Sequence, residues 1–203
     1  MGGLIAGFSL SLSLILAIGS QNAFVLRQGL KREHIFIVCL ICAFSDALLI
    51  SLGVAGFSLM ISTIPWIEPV ARYGGALFLF IYGAMNFWSA FKTHDSLQVA
   101  ENSSAALGKV VLTCLALTWL NPHVYLDTLM LIGSVSTQYE GQKVAFAIGA
   151  VLASFVFFFS LGYGAKVLRP FFEKPQSWKI LDFIIACIMW GIAFSLVKDL
   201  YLI

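Results

Sequence analysis

Two polar interruptions fall at matching places in the two halves of a chain that otherwise reads as membrane-embedded. One is Gly19-Ser20-Gln21-Asn22, inside the first apolar segment; the other is Asn121-Pro122-His123, inside the fourth. Gly, Ser, Asn and Pro are poor interior helix residues, and an unpaired backbone group at membrane depth is costly. Such breaks are tolerated where they face protein or a wet cavity. Paired broken helices in corresponding positions are the best sequence pointer to the substrate site of a repeat-built transporter. Gly19, Ser20 and Pro122 are therefore the expected break points of helices 1 and 4.

Composition requires lipid. Of 203 residues, 60% are hydrophobic and 11% charged, against about 25% charged in a soluble domain; mean hydropathy is +0.94. A net charge of +2 is too small to suggest a nucleic-acid partner. Cys39, Cys42, Cys114 and Cys187 all lie in apolar stretches, in no secreted-type framework and with no zinc spacing to histidine. No metal or cofactor is expected. No nucleotide-binding fingerprint occurs either, so transport energy must come from an ion gradient or a partner. The N-terminus lacks a basic n-region, which predicts a retained first helix.

A span of the hydrocarbon core takes about 20 residues, and six candidates follow: 3–26, 35–62, 67–91, 109–134, 143–168 and 179–201. The polar stretch 93–108 divides three from three. The sequence thus predicts an all-α membrane protein with one three-helix repeat in 1–92, a connecting loop in 93–108 and a second repeat in 109–203. The halves match weakly: Ser51-Leu52-Gly53 with Ser160-Leu161-Gly162, and Tyr82-Gly83 with Trp190-Gly191. Three is odd, so the second copy must enter the membrane upside down, giving an inverted repeat around a shared midplane site. Loops 1–2, 3–4 and 5–6 carry Arg27, Lys31, Arg32, Lys92, Lys109, Lys166, Arg169, Lys174 and Lys179; the other side carries Arg72, Lys143 and Lys198. Nine against three places those loops in the cytoplasm and both termini outside.

Each deep ionisable group is a functional candidate, because a central charge costs about 2.5–3.5 kcal/mol to insert. Asp46 lies mid-way along span 2. Asp127 lies in span 4, one turn after His123, and an i, i+4 spacing puts imidazole and carboxylate on one helix face. The bland alternative makes Asp46 a packing partner of the Asn22 break and His123–Asp127 a structural pair. His123 has a side chain suited to relaying protons or to donating to a freed carbonyl. Gln21, Asn22 and Asn121 offer amide groups to a ligand or to the broken backbone. Asn86 reads as an interhelical hydrogen bond, and Asp182, near Lys179, as a boundary residue. Cys39-Leu40-Ile41-Cys42 has redox spacing but lacks the soluble strand–helix setting, which favours packing. Gly53, Gly56, Gly74, Gly75 and Gly83 suit close helix approach; Trp66, Trp88 and Trp178 read as interfacial belt residues.

At these residues the chain resembles the bacterial lysine/arginine exporter family, most closely its arginine exporter branch. The resemblance rests on Gly19-Ser20-Gln21-Asn22-Ala23-Phe24-Val25-Leu26, on Ser45-Asp46, and on the long motif from Thr118 to Thr128 that contains Asn121-Pro122-His123 and Asp127; it extends to Cys187-Ile188-Met189-Trp190. Ser20 departs from the family's usual proline. The resemblance implies export of L-arginine or L-lysine across the bacterial inner membrane, driven by the electrochemical gradient.

Moving a cation out of a negative interior costs about 2.3 kcal/mol per charge per 100 mV. Exchange for one proton cancels that term, so antiport is the economical scheme. Asp46, with Asp127, is the expected site of competition between proton and substrate cation, lined by Gln21, Asn22, Asn121 and His123. Half-helix N-termini suit the substrate's α-carboxylate, and half-helix C-termini its ammonium group. Export of neutral amino acids or metal cations is the alternative within transport. A thiol–disulfide carrier using Cys39 and Cys42 is the alternative from another class, and a purely structural membrane subunit a further one. A thin-walled unit of this size makes a homodimer plausible through a Gly-rich face.

Overall fold

The structure, a computed structural model, describes residues 2–16, 19–56, 67–91, 106–121 and 124–198. Every regular element among them is helical: α1 (Gly2–Ile15), α2 (Ser20–Lys31), α3 (Ile35–Val54), α4 (Ile67–Phe91), α5 (Leu107–Trp119), a π-helical stretch (Tyr125–Leu131) that runs into α6 (Ile132–Ser136), α7 (Lys143–Gly164), a 3-10 stretch (Ala165–Glu173) and α8 (Pro175–Lys198). Among the described residues, three helical segments are long and apolar enough to cross a membrane: Ile35–Val54, Lys143–Leu168 and Gln176–Phe194. A fourth is added if α1 and α2, bent by 82° at their break, count as one span. The other apolar stretches are Ala76–Phe91, part of the 25-residue α4, Leu107–Trp119 and Asp127–Ser136.

Large apolar side chains cover the outside, including Leu77, Phe80, Phe91, Val144, Phe171 and Phe194. Lipid supplies their solvent, so outward apolarity carries no penalty here. Packing inside therefore depends on close backbone approach. A Cβ at Gly133 of α6 would lie 2.7 Å from the Gly53 carbonyl oxygen of α3. One at Gly29 of α2 would lie 2.3 Å from the Gly162 carbonyl oxygen of α7. Gly83 of α4 leaves room for the Trp190 indole of α8. The other expected packing glycines behave differently: Gly56, at φ 93°, turns the chain at the end of α3, and Gly74 faces open space.

The elements pair in a crossed pattern. α3 packs on α5, the π-helical stretch and α6, which together flank the second break; α7 packs on α1 and α2, which flank the first. α4 and α8 pack chiefly on each other, and α3 and α7 meet between the two groups. Cys42 and Cys114 sit in the α3–α5 seam with their sulfurs 3.5 Å apart, and the Cys39 thiol donates to the Phe158 carbonyl at 3.1 Å. All three thiols are free and buried, as packing residues are. Trp178, read from sequence as a belt residue, is 8% exposed and donates its indole N–H to the Phe172 carbonyl, whereas Trp88 is 70% exposed. Trp66 lies outside the described residues.

Candidate functional site

The first break lies earlier than the sequence suggests. Gly19 is extended (φ −109°, ψ 175°) and accepts the first bond of α2 from the Ala23 N–H; Ser20, expected in the break, is already the first residue of the helix, followed by Gln21 and Asn22. α1 ends with carbonyls that have no further helical donors. Asn22 meets one of them, its amide nitrogen donating to the Ile15 carbonyl at 2.7 Å.

The second break is closed by the same device. α5 stops at Trp119, and the Tyr125 hydroxyl donates back to the Trp119 carbonyl at 2.8 Å. Asn121 follows α5 and is 6% exposed. Pro122 and His123 lie outside the described residues, and with them the predicted His123–Asp127 face. The chain resumes as a π-helix, in which the Thr128 hydroxyl bonds the Val124 carbonyl. Short π-helical turns occur disproportionately at functional sites, and this one carries Asp127 and Thr128.

Both breaks open on one cavity of about 250 Å³. Gly19, Gln21 and Asn22 line it from the first break, Asn121, Val124, Asp127 and Thr128 from the second, and Asp46 from α3. Of the six residues predicted to bind substrate, five therefore face one space: Gln21, Asn22, Asp46, Asn121 and Asp127. The apolar remainder of the wall includes Ile15, Ile132 and Phe158. At this size the cavity sits just below the range of about 300–1,000 Å³ typical of drug-sized ligand sites, a fit for one small molecule.

Asp46 is 3% exposed and accepts a hydrogen bond from the Ser154 hydroxyl of α7 at 2.8 Å. Its neighbour Ser45 accepts from the Trp119 indole at 3.2 Å, tying α3 to the end of α5. Gln21 is 7% exposed and lies against the buried Cys42 of α3 as well as the cavity.

Residues 12–200 match the family model for the LysE type translocator. The chain belongs to that family. This LysE type translocator is 39% identical to the arginine exporter protein ArgO of Escherichia coli K12 over 95% of its own length and 92% of the relative's. The ArgO protein of Shigella flexneri matches to the same extent. A Mycobacterium tuberculosis protein provisionally named an amino-acid transporter is 44% identical over 90% of each chain. No solved structure matches the chain.

Sequence reasoning missed one arrangement further along α2. Asp182 is fully buried, and Arg27 of α2 reaches it at 3.2 Å. Ser89 of α4 donates to the same carboxylate at 2.8 Å, and Asn86 accepts from the Arg27 guanidinium. Asn86 thus makes the interhelical bond expected of it, and Asp182, expected at the cytoplasmic boundary, is buried between α2 and α4. Its charge is needed to balance Arg27, which sits one turn beyond Phe24 on the same helix. An acid and a base left over on segments 6 and 1, both near the basic ends of their spans, were the signal available.

Proposed function

We propose that this translocator exports basic amino acids, L-arginine and by the same chemistry L-lysine, across the bacterial inner membrane in exchange for protons. The observation that carries the reading is the convergence of Asp46 and Asp127 on one cavity between two helix breaks. A neutral substrate would need no pair of carboxylates in lipid, where each is expensive. The likeness to arginine exporters over nearly the whole chain supports the same substrate class.

In this scheme the substrate's cationic side chain and a proton compete for Asp46, with Asp127 as second acid. Ser154 holds the Asp46 carboxylate in register between α3 and α7. Gln21, Asn22 and Asn121 line the site, and their side-chain amides suit the substrate's α-carboxylate and ammonium groups. Because one carboxylate serves either ion but not both, substrate and proton fluxes are coupled without a further gate.

The alternating movement comes from an inverted repeat of residues 1–92 and 109–203 joined by 93–108. Its support is the crossed packing. The sequence-matched Gly53 and Gly162 each approach the helix after the other half's break, at Gly133 and Gly29 respectively. Each break is also bridged by a side chain from the helix that follows it. The excess of Lys and Arg on loops 1–2, 3–4 and 5–6 orients those loops to the cytoplasm and both termini to the periplasm.

The test is efflux of labelled arginine from bacteria lacking their own basic amino-acid exporters, with lysine and leucine as competing internal loads. Arginine efflux that lysine slows, leucine leaves alone and a protonophore collapses is the expected result. Leucine efflux without arginine efflux would overturn the cation assignment.

A further inference from the structure

The geometry points to a second amino-acid binding site, a loading site at the far end of α2 from the broken-helix cavity. It rests on the exporter reading above and deepens it. A separate cavity of about 290 Å³ lies among α2, the turn after it, α4 and α5, with Gln28, Lys31, Glu33, Asn86 and Lys109 in its wall. Its residues fall on the side that the basic loops assign to the cytoplasm.

Among the described residues, two acceptors in this wall lack donors. Gln28 is 6% exposed and its side-chain carbonyl oxygen has no hydrogen-bond partner; one carboxylate oxygen of Glu33 is buried in the same condition. A sharp turn brings the two residues to one wall: Arg32 and His34 take left-handed backbone angles (φ 58° and 50°), and the Glu33 N–H donates to the main-chain carbonyl of Gln28 at 3.2 Å. Leaving buried acceptors unmade is unfavourable, so a wall with two of them is built for a ligand that brings N–H donors.

The charges on the remaining wall define the rest of that ligand. Arg27 also lines the cavity, but its guanidinium is committed to Asp182. Lys31 and Lys109 then supply the positive wall, and Glu33 the negative one. An α-amino acid satisfies both: its ammonium group donates to Gln28 and Glu33, and its α-carboxylate lies against the two lysines. A simple anion such as phosphate would leave both acceptors unmet and face the Glu33 charge. A metal cation would face three basic side chains.

The two cavities are linked along one helix face. Gln21 lines the first and Gln28 the second, seven residues and two turns apart on one side of α2. Phe24, between them on this face, lines the second cavity and is 5% exposed. A substrate passing from the loading site to the broken-helix cavity must move the Phe24 ring.

Binding of labelled L-arginine to the purified full chain in lipid nanodiscs, paired with efflux from cells, tests this. The wild type should bind two arginines per chain. Gln28→Leu should bind one, and so should Lys109→Ala at an exposed position that folding tolerates. In both, the internal arginine giving half-maximal efflux should rise about three- to ten-fold, as for a lost hydrogen bond or ion pair, with maximal rate within about two-fold. Asp46→Asn should show the opposite split, keeping one bound arginine and losing efflux. One arginine per chain in the wild type, abolished by Asp46→Asn and untouched by Gln28→Leu, would overturn the loading site and leave the exporter intact. Competition by inorganic phosphate at the second site would overturn its amino-acid class. A wild type that neither binds nor moves arginine would remove both readings.

Discussion

The side-chain amide of Asn22 donates to the main-chain carbonyl of Ile15 at 2.7 Å, closing the end of α1 from the far side of its own break. Tyr125 does the same for Trp119 at the second break. In each case a carbonyl that helix geometry leaves without a donor is satisfied by the next helix along the chain. Loss of either donor should therefore cost about 1–3 kcal/mol, at about 2–4 °C of melting temperature per kcal/mol for a chain of this size. Thermal melts of detergent-purified Asn22→Ala and Tyr125→Phe should both fall by several degrees. Unchanged midpoints would mean that the breaks are held by something else.

Arg27 and Asp182 fasten α2 to α8 in a setting where neither charge is easily left alone. Removing one partner of a buried pair costs about 3–5 kcal/mol, while replacing both with apolar groups is often neutral. Arg27→Leu should thus lower the yield and melting temperature of the purified protein sharply, and Arg27→Leu combined with Asp182→Leu should recover most of the loss. A double variant no better than the single would show that Asp182 does not depend on Arg27 for its burial.

The helix breaks and most residues of the cavity could be read directly, because polar residues in an apolar segment are expensive and few. Gln21, Asn22, Asp46, Asn121 and Asp127 stood out for that reason. The exact break point did not, since Ser20 and Asn22 are poor helix interiors but good first-turn residues, and only the geometry of Gly19 separates the cases. The partner of Asp46 was hidden too: Ser154 is one serine among many, and only the α3–α7 packing brings it to the carboxylate. The burial of Asp182 was not legible because charge near a span end is usually solvated, whereas here Arg27 of α2 and Ser89 of α4 close over it. The glycines were legible as packing residues but not individually, because Gly53 and Gly74 differ only in what stands opposite them.

Cys39 and Cys42 belong to the interior seams of α3, each with its sulfur directed at another helix. A carrier of disulfides would need at least one accessible thiolate. Double substitution Cys39→Ala/Cys42→Ala should keep arginine efflux within about two-fold of wild type at matched abundance, a small-volume change that cores usually tolerate. Complete loss of transport with the protein still folded would revive the thiol–disulfide reading.

Asp46 is the most direct point at which to test the exchange mechanism. In Asp46→Asn the Ser154 hydrogen bond can persist while the charge is gone. Proton-driven arginine efflux should then fall by at least about ten-fold, a loss of some 1.4 kcal/mol or more, with membrane abundance and melting temperature near those of the wild type. Arginine efflux by Asp46→Asn at near wild-type rate, still collapsed by a protonophore, would contradict the carboxylate as the shared site of proton and substrate.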